Sequence, residues 1–99
     1  MSGWDAYCDG NYQEAATHIR ADIEKGNMTN VITLADIYWR DLDNADHPPE
    51  EGAYYYILAA DNDDCDALSF LNPLNPCLID KTIPIESRIH EFLSCVGHE

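Results

Sequence analysis

The chain has 99 residues, of which 19 are acidic and 5 are basic, so its formal net charge is -14 and its pI is about 4.2. Its hydrophobic content of 45% argues against intrinsic disorder, and its length allows one domain over residues 1–99. The negative charge excludes ordinary phosphate binding, so we expect no direct nucleic-acid binding. Because no apolar run reaches about 18 residues, we also expect no membrane span.

The first predicted helix extends from Tyr12 to Lys25 and follows a short segment over residues 1–8. Gly26 predicts a C-terminal cap for this helix. We expect Trp4 and Tyr7, in the short segment, to cover the open end of the helical stack. Apolar residues recur along one side of the helix at three- and four-residue spacing; they are Tyr12, Ala15, Ala16, Ile19 and Ile23.

A helical hairpin is predicted for the central stretch from Asn30 to Leu71, with an acidic loop between its two helices. Pro48 and Pro49 open the second helix, because proline is tolerated in a first helical turn. The first helix has an apolar face formed by Val31, Leu34, Ala35, Ile37 and Tyr38. The inward stripe of the second helix is Ala53, Tyr56, Ile57 and Ala60.

The rest of the chain predicts a short helix, an irregular segment and a last helix. Asp64 and Asp66 favour the N-terminus of a helix from Cys65 to Leu71, since carboxylates interact favourably with that end of a helix. Residues 73–83 are rich in proline and predict an extended strap, whose inward side chains are Leu74, Leu78 and Ile79. Residues 84–97 predict a capping helix with an apolar face of Ile85, Ile89, Phe92, Leu93 and Val96.

The hairpin resembles the Sel1-like repeat, a relative of the tetratricopeptide repeat. The matching residues are Leu34-Ala35, Tyr38, Pro49-Glu50, Gly52, Tyr55-Tyr56 and Ala59-Ala60, with Ala35 at the usual glycine and Gly52 at the usual alanine. A self-match at an offset of about 37 residues agrees with a helical-pair repeat. The resemblance implies an all-α fold, a short Sel1-like or TPR-like solenoid of five or six helices. Residues 6–72 are repeat-like, and an adaptor role is implied.

Negative charge is concentrated in the central hairpin, where residues 36–66 contain ten acids and one base. Helix physics does not explain the acidic loop, because a helix C-terminus disfavours anions by about 0.3–1 kcal/mol. Three consecutive tyrosines span about 200° of a helix, so we expect Tyr55 and Tyr56 to be buried and Tyr54 to be exposed. The candidate partner-binding residues are Trp39, Asp41, Asp43, Asp46, Glu50, Glu51, Tyr54, Asp61, Asp63, Asp64 and Asp66.

Metal binding and catalysis find little support in the residue spacing. The segments at 41–43 and 61–63 are similar to the start of a calcium loop, but both lack its sixth-position glycine and twelfth-position glutamate. No serine has a nucleophile motif around it. We therefore predict no metal, no cofactor and no enzymatic activity. Zinc is disfavoured because the histidines have no ligand spacing; they are His18, His47, His90 and His98.

The four cysteines have no close paired spacing, and the N-terminus has no basic region followed by an apolar stretch. We therefore expect reduced, buried thiols rather than two disulfides. A cytoplasmic location follows, in a bacterium or, for a phage-encoded protein, in the host cell. The cysteines are Cys8, Cys65, Cys77 and Cys95.

These patterns favour a monomeric, non-catalytic interaction module that docks a positively charged protein surface. The alternative is a nucleic-acid mimic, which would block the groove of a DNA- or RNA-binding protein. In that respect the chain resembles small acidic phage proteins, including several anti-CRISPR proteins. A third interpretation is an acidic surface that serves only solvation.

Overall fold

The computed structural model describes residues 3–97, and over these residues the chain is all-helical without a strand. The all-α class is therefore confirmed, and the described residues form six α-helices, within the predicted five or six. Met1 and Ser2 of the predicted capping segment, and His98, lie outside the described residues. The helices are α1 (Gly3–Cys8), α2 (Tyr12–Glu24), α3 (Val31–Arg40), α4 (Pro49–Asp61), α5 (Cys65–Leu71), a 3-10 helix (Pro76–Ile79) and α6 (Ile85–Cys95).

Helices α3 and α4 form the predicted hairpin and make the most extensive helix pair in the described chain. Pro49 occupies the first turn of α4. Its lack of an amide donor is tolerated there, because the first amides of a helix have no acceptor within the helix. The predicted inward residues of both helices are buried. Periodicity alone therefore located both helices and their inner faces.

Two apolar clusters meet at α3, which contributes to both. The first cluster joins α1, α2 and α3 and includes Ala6, Ile19 and Ile37. The second joins α3 and α4 to α5, the 3-10 helix and α6, with Ile57 and Phe92 fully buried. Helix α3 is thus covered on two sides.

The closest approach within the hairpin occurs at Gly52. A Cβ atom added there would lie 3.0 Å from both the Cα and the N of Trp39. Those atoms belong to the backbone of α3 and have no rotamer by which to move away. Glycine at this position, where the Sel1-like pattern has alanine, therefore fits the spacing between the two helices.

Residues 3–8 form a helix that the sequence patterns do not predict. A segment of six residues is too short to show a helical period, and a helix of that length needs tertiary packing to be stable. Ala6 supplies such packing, because it is fully buried in the first apolar cluster. Trp4 is 52% exposed, and its ring stacks on Tyr7, which packs against that cluster.

The prediction of an extended strap over residues 73–83 is wrong. Asn75 caps a 3-10 helix over Pro76–Ile79 by accepting a hydrogen bond from the Cys77 amide at 3.0 Å. Leu78 is buried as predicted, but Leu74 is exposed. The Leu74 amide bonds to the carbonyl of Leu71 in the turn after α5, outside the packed surface.

The thiols are free, but the prediction that they are buried is also wrong, since all four are exposed. Three of them lie at helix ends, where one side faces solvent: Cys8 ends α1, Cys65 begins α5 and Cys95 ends α6. Cys77 lies in the short 3-10 helix.

Candidate functional site

The acidic loop between α3 and α4 has a tightly folded backbone. Asp41, Asn44 and Asp46 all have positive φ angles, of 53°, 55° and 58°, a conformation that is uncommon for residues other than glycine. Asp41 is the C-terminal cap of α3, and its Oδ1 accepts a hydrogen bond from the Asp46 amide at 2.8 Å. Asp41 therefore has a structural role in addition to its charge.

Asp43 is 6% exposed and lies at the centre of this loop. Its Oδ2 is 2.9 Å from Nε2 of His47, and its backbone carbonyl accepts a hydrogen bond from Gln13 of α2 at 3.1 Å. The other ring nitrogen of His47, Nδ1, is 2.8 Å from Oε2 of Glu51 in α4. Asp43 thus ties the loop to α2 and, through His47, to α4.

His47 binds both carboxylates best when its ring is protonated, because each ring nitrogen then donates a hydrogen bond. Burial of the ring opposes its charge, but hydrogen bonds to Asp43 and Glu51 outweigh burial and raise the pKa of His47. The ring also stacks on Tyr38, with ring centroids 3.7 Å apart. We call this group of Asp43, His47 and Glu51 the histidine clamp.

The histidine clamp corrects the expectation for Asp43. A side chain so deeply buried and already bonded to His47 has little surface to offer a partner, so we remove Asp43 from the docking surface. Asp46, Glu50 and Glu51 remain exposed at this end of α4. Asp41 is half-buried.

The second acidic group, at the other end of α4, also contains a residue whose charge is already compensated. Asp61 accepts two hydrogen bonds from Arg88 of α6, from Nη1 at 2.7 Å and from Nη2 at 3.0 Å. Arg88 is 4% exposed, and this partly buried bidentate pair joins α4 to α6. We therefore remove Asp61 from the docking surface as well.

The other acids of this second group face solvent to different degrees. Asp64 caps α5 by accepting hydrogen bonds from the amides of Asp66 and Ala67, at 2.9 and 3.1 Å, as its position predicted. Asp66 is exposed. The side chain of Asp63 is 87% exposed, and one of its oxygens lies 4.0 Å from Lys81 Nζ.

The structure places the two candidate aromatic residues in different grooves. Tyr54 is exposed and lines a groove with Arg20, Tyr38 and His47, between α2 and α4. Trp39 is half-buried, with its ring centroid 5.1 Å from that of Phe92, and it faces a second groove. Tyr56 is buried and Tyr55 half-buried, in agreement with their predicted inward placement.

The second groove combines residues that the sequence patterns did not bring together. It has a volume of about 540 Å³ and is lined by residues of α1, α3, α4 and α5. We call it the aromatic cleft, and its rings and charged groups are Trp4, Tyr7, Trp39, Tyr56, Phe70, Asp36 and Arg40.

Asp36 connects the walls of the aromatic cleft. Its Oδ2 accepts a hydrogen bond from the Tyr7 hydroxyl at 2.9 Å, and its Oδ1 accepts one from the Tyr56 hydroxyl at 3.2 Å. Arg40 Nε lies 2.9 Å from the same Oδ1. The four-residue spacing of Asp36 and Arg40 is visible in the sequence. The contact with Tyr7, 29 residues away, is not.

Among residues 3–97, no three His, Cys, Asp or Glu side chains are arranged to hold a metal ion. No helix in the same range has the length and apolar character needed to cross a membrane. Comparison of the chain with protein families, with curated proteins and with solved structures finds no match. The resemblance to the Sel1-like repeat therefore stays a prediction.

Proposed function

We propose that this protein is a monomeric, non-catalytic interaction module that docks the basic surface of another protein through exposed acids at the two ends of α4. The proposal rests on the negative charge of those acids near the ends of α4 whose side chains form no ion pair in the described part of the chain. Asp46 and Glu50 at one end, and Asp66 at the other, are exposed and form no ion pair within residues 3–97.

The two ends are separated by the length of α4. This helix has 13 residues, which at 1.5 Å per residue gives roughly 20 Å. Uncompensated like charges weaken a compact fold by self-repulsion. They also accelerate the encounter with a surface of opposite charge. A net charge of -14 on so small a chain therefore supports a role in association.

The test is affinity capture with the wild type and with two charge variants. The first replaces Asp46 by Asn, Glu50 by Gln and Asp66 by Asn, and we expect it to lose basic binding proteins that the wild type captures. The matched control removes as many acids from other helices, by Asp22→Asn, Glu24→Gln and Glu86→Gln.

The control variant should retain the captured proteins, because it has the same net charge as the first variant but intact ends of α4. Capture should also weaken steeply with salt, since screening acts over about 8 Å at physiological ionic strength. Capture that is insensitive to salt and to both variants would identify the acidic surface as a solvation coat.

The placement of charge at two ends of one helix also favours the second candidate, a nucleic-acid mimic. Two acidic groups roughly 20 Å apart along α4 are suited to a basic groove that accepts two rows of phosphates. The two candidates differ in competition. A mimic is displaced from its partner by the nucleic acid that the partner binds, whereas a docking module on another surface is not.

A further inference from the structure

We propose that the aromatic cleft binds an arginine side chain of a basic protein partner, with Asp36 accepting the guanidinium and the surrounding rings stacking against it. This inference deepens the docking function proposed above and rests on it for the class of partner. It concerns a different surface from the acids at the ends of α4, so the two can be tested separately.

The first support is the shape of the cleft. Its volume of about 540 Å³ lies within the range of small-ligand sites. Its mouth exposes Trp4 and Phe70, which are 52% and 39% accessible to solvent. Trp4 stacks on Tyr7 with ring centroids 5.7 Å apart, and Phe70 lies 5.0 Å from Tyr56. An inserted side chain therefore meets aromatic surface from α1, α4 and α5.

The second support is the placement of a carboxylate among these rings. A carboxylate has about four acceptor positions; Asp36 accepts one hydrogen bond on Oδ2 from Tyr7 and one on Oδ1 from Tyr56, and Arg40 forms an ion pair with Oδ1. Burial and the nearby Asp36 charge raise the pKa of both tyrosine hydroxyls, which keeps them protonated as donors. The two tyrosines thus hold the Asp36 carboxylate in a fixed orientation.

Arg40 occupies the position that we assign to the partner's arginine. Its Nε forms an ion pair with Asp36, and its side chain is 66% exposed. Ion pairs with such exposure are weak, so an incoming guanidinium displaces Arg40 at little cost. Each Asp36 oxygen then has one open acceptor position, which suits the two parallel N–H groups of a guanidinium.

Arginine fits these features better than lysine or an anion does. A guanidinium is planar and stacks on aromatic faces while it donates to a carboxylate, whereas an ammonium group is a compact, strongly hydrated charge. An anion would have to approach Asp36 and a chain of net charge -14. The chemistry of the cleft therefore selects a cation with a flat, apolar face.

The test compares hexa-arginine with hexa-lysine, two peptides of equal charge. Trp4 and Trp39 are the two tryptophans of the chain, and both line the cleft, so tryptophan fluorescence reports its occupancy directly. We expect hexa-arginine to change the emission and to bind about threefold to tenfold more tightly than hexa-lysine in calorimetry. Asp36→Asn and Trp4→Ala should each remove this preference.

A second pair of variants tests the displacement of Arg40. Arg40→Gln frees Asp36 and should tighten hexa-arginine binding by up to about fivefold. Arg20→Gln is the matched control, because it changes the net charge equally while Arg20 hydrogen bonds to Tyr38 outside the cleft. The increase should therefore be larger for Arg40→Gln than for Arg20→Gln.

Three outcomes overturn the proposal: equal affinity for the two peptides, an arginine preference that survives Asp36→Asn in a variant with a wild-type circular dichroism spectrum, or weaker binding by Arg40→Gln. Any of these would leave the docking function standing if captured basic proteins still depend on Asp46, Glu50 and Asp66. Conversely, captured proteins that do not depend on these three acids, together with an intact preference for arginine, would refute docking by the ends of α4 and leave the arginine site standing.

Discussion

Gly52→Ala reverses the usual effect of a helical glycine substitution. In the interior of a helix such as α4, alanine is ordinarily more stable than glycine by about 1 kcal/mol. At Gly52 the new Cβ would lie 3.0 Å from two backbone atoms of Trp39, so α3 and α4 must separate locally. Overpacking of this kind costs about 1–3 kcal/mol, and once the gain of about 1 kcal/mol in helix propensity is subtracted we expect a net loss of up to about 2 kcal/mol.

The measurement is the free energy of unfolding from urea titration, together with a thermal melt. For a domain of this size, a loss of 1 kcal/mol corresponds to a fall in Tm of about 4–8 °C. Ser87→Ala in α6 is the control, because Ser87 is exposed and the change alters helix propensity without packing. We expect this control to be neutral or slightly stabilising.

A rise in Tm for Gly52→Ala comparable to that of a solvent-exposed substitution would refute this reasoning. It would mean that α3 and α4 have room for a methyl group at Trp39. The alanine of the Sel1-like pattern would then be tolerated here, and the close approach would no longer account for the glycine.

Three further predictions concern the ionisable contacts inside the fold. Asp43→Asn should lower the free energy of unfolding by about 1–3 kcal/mol in urea titration, because it removes a buried charge-assisted hydrogen bond. The control, Asp46→Asn, should change it by less than about 0.5 kcal/mol. Equal losses for the two variants would contradict the histidine clamp. The pKa of His47 is raised in the folded state, so its contribution to stability is fully present below about pH 6.5 and is lost as the pH rises through the folded pKa. In thermal melts at a series of pH values, His47→Gln should flatten this decline. An unchanged slope would refute the contribution of His47. Arg88→Met should lower the free energy of unfolding by about 3 kcal/mol, because it leaves Asp61 unpaired. Adding Asp61→Leu to this variant should recover part of that loss in urea titration. No loss for Arg88→Met would mean that the pair does not stabilise the fold.

The histidine clamp changes the interpretation of the acidic loop. From the sequence, Asp41 and Asp43 look unfavourable at a helix C-terminus and hence available for binding. In the structure, Asp41 caps the left-handed turn and Asp43 bonds to His47. The local dipole penalty is thus offset by contacts within the loop, and the loop is in turn held to α2 through Gln13 and to α4 through Glu51.

Features set by neighbours within one or two helical turns could be predicted from the sequence alone. The inward faces of α3 and α4 follow from apolar spacing, since a helix places residues three and four apart on one side. The cap at Asp64 and the start of α4 at Pro49 depend on adjacent backbone groups only. The exposure of Tyr54 follows from the angle between successive residues of a helix.

Burial, pairing and cavities, in contrast, were decided by the tertiary structure. The spacing of the four cysteines fits either buried or exposed thiols. They are exposed because each lies on the side of its helix that faces solvent in the packed structure. Asp61 and Arg88 are 27 residues apart, and Tyr7 and Asp36 are 29 apart, so no periodicity links them. Helix spacing orients a side chain relative to its own axis, but the groups that it meets depend on how the helices pack against one another.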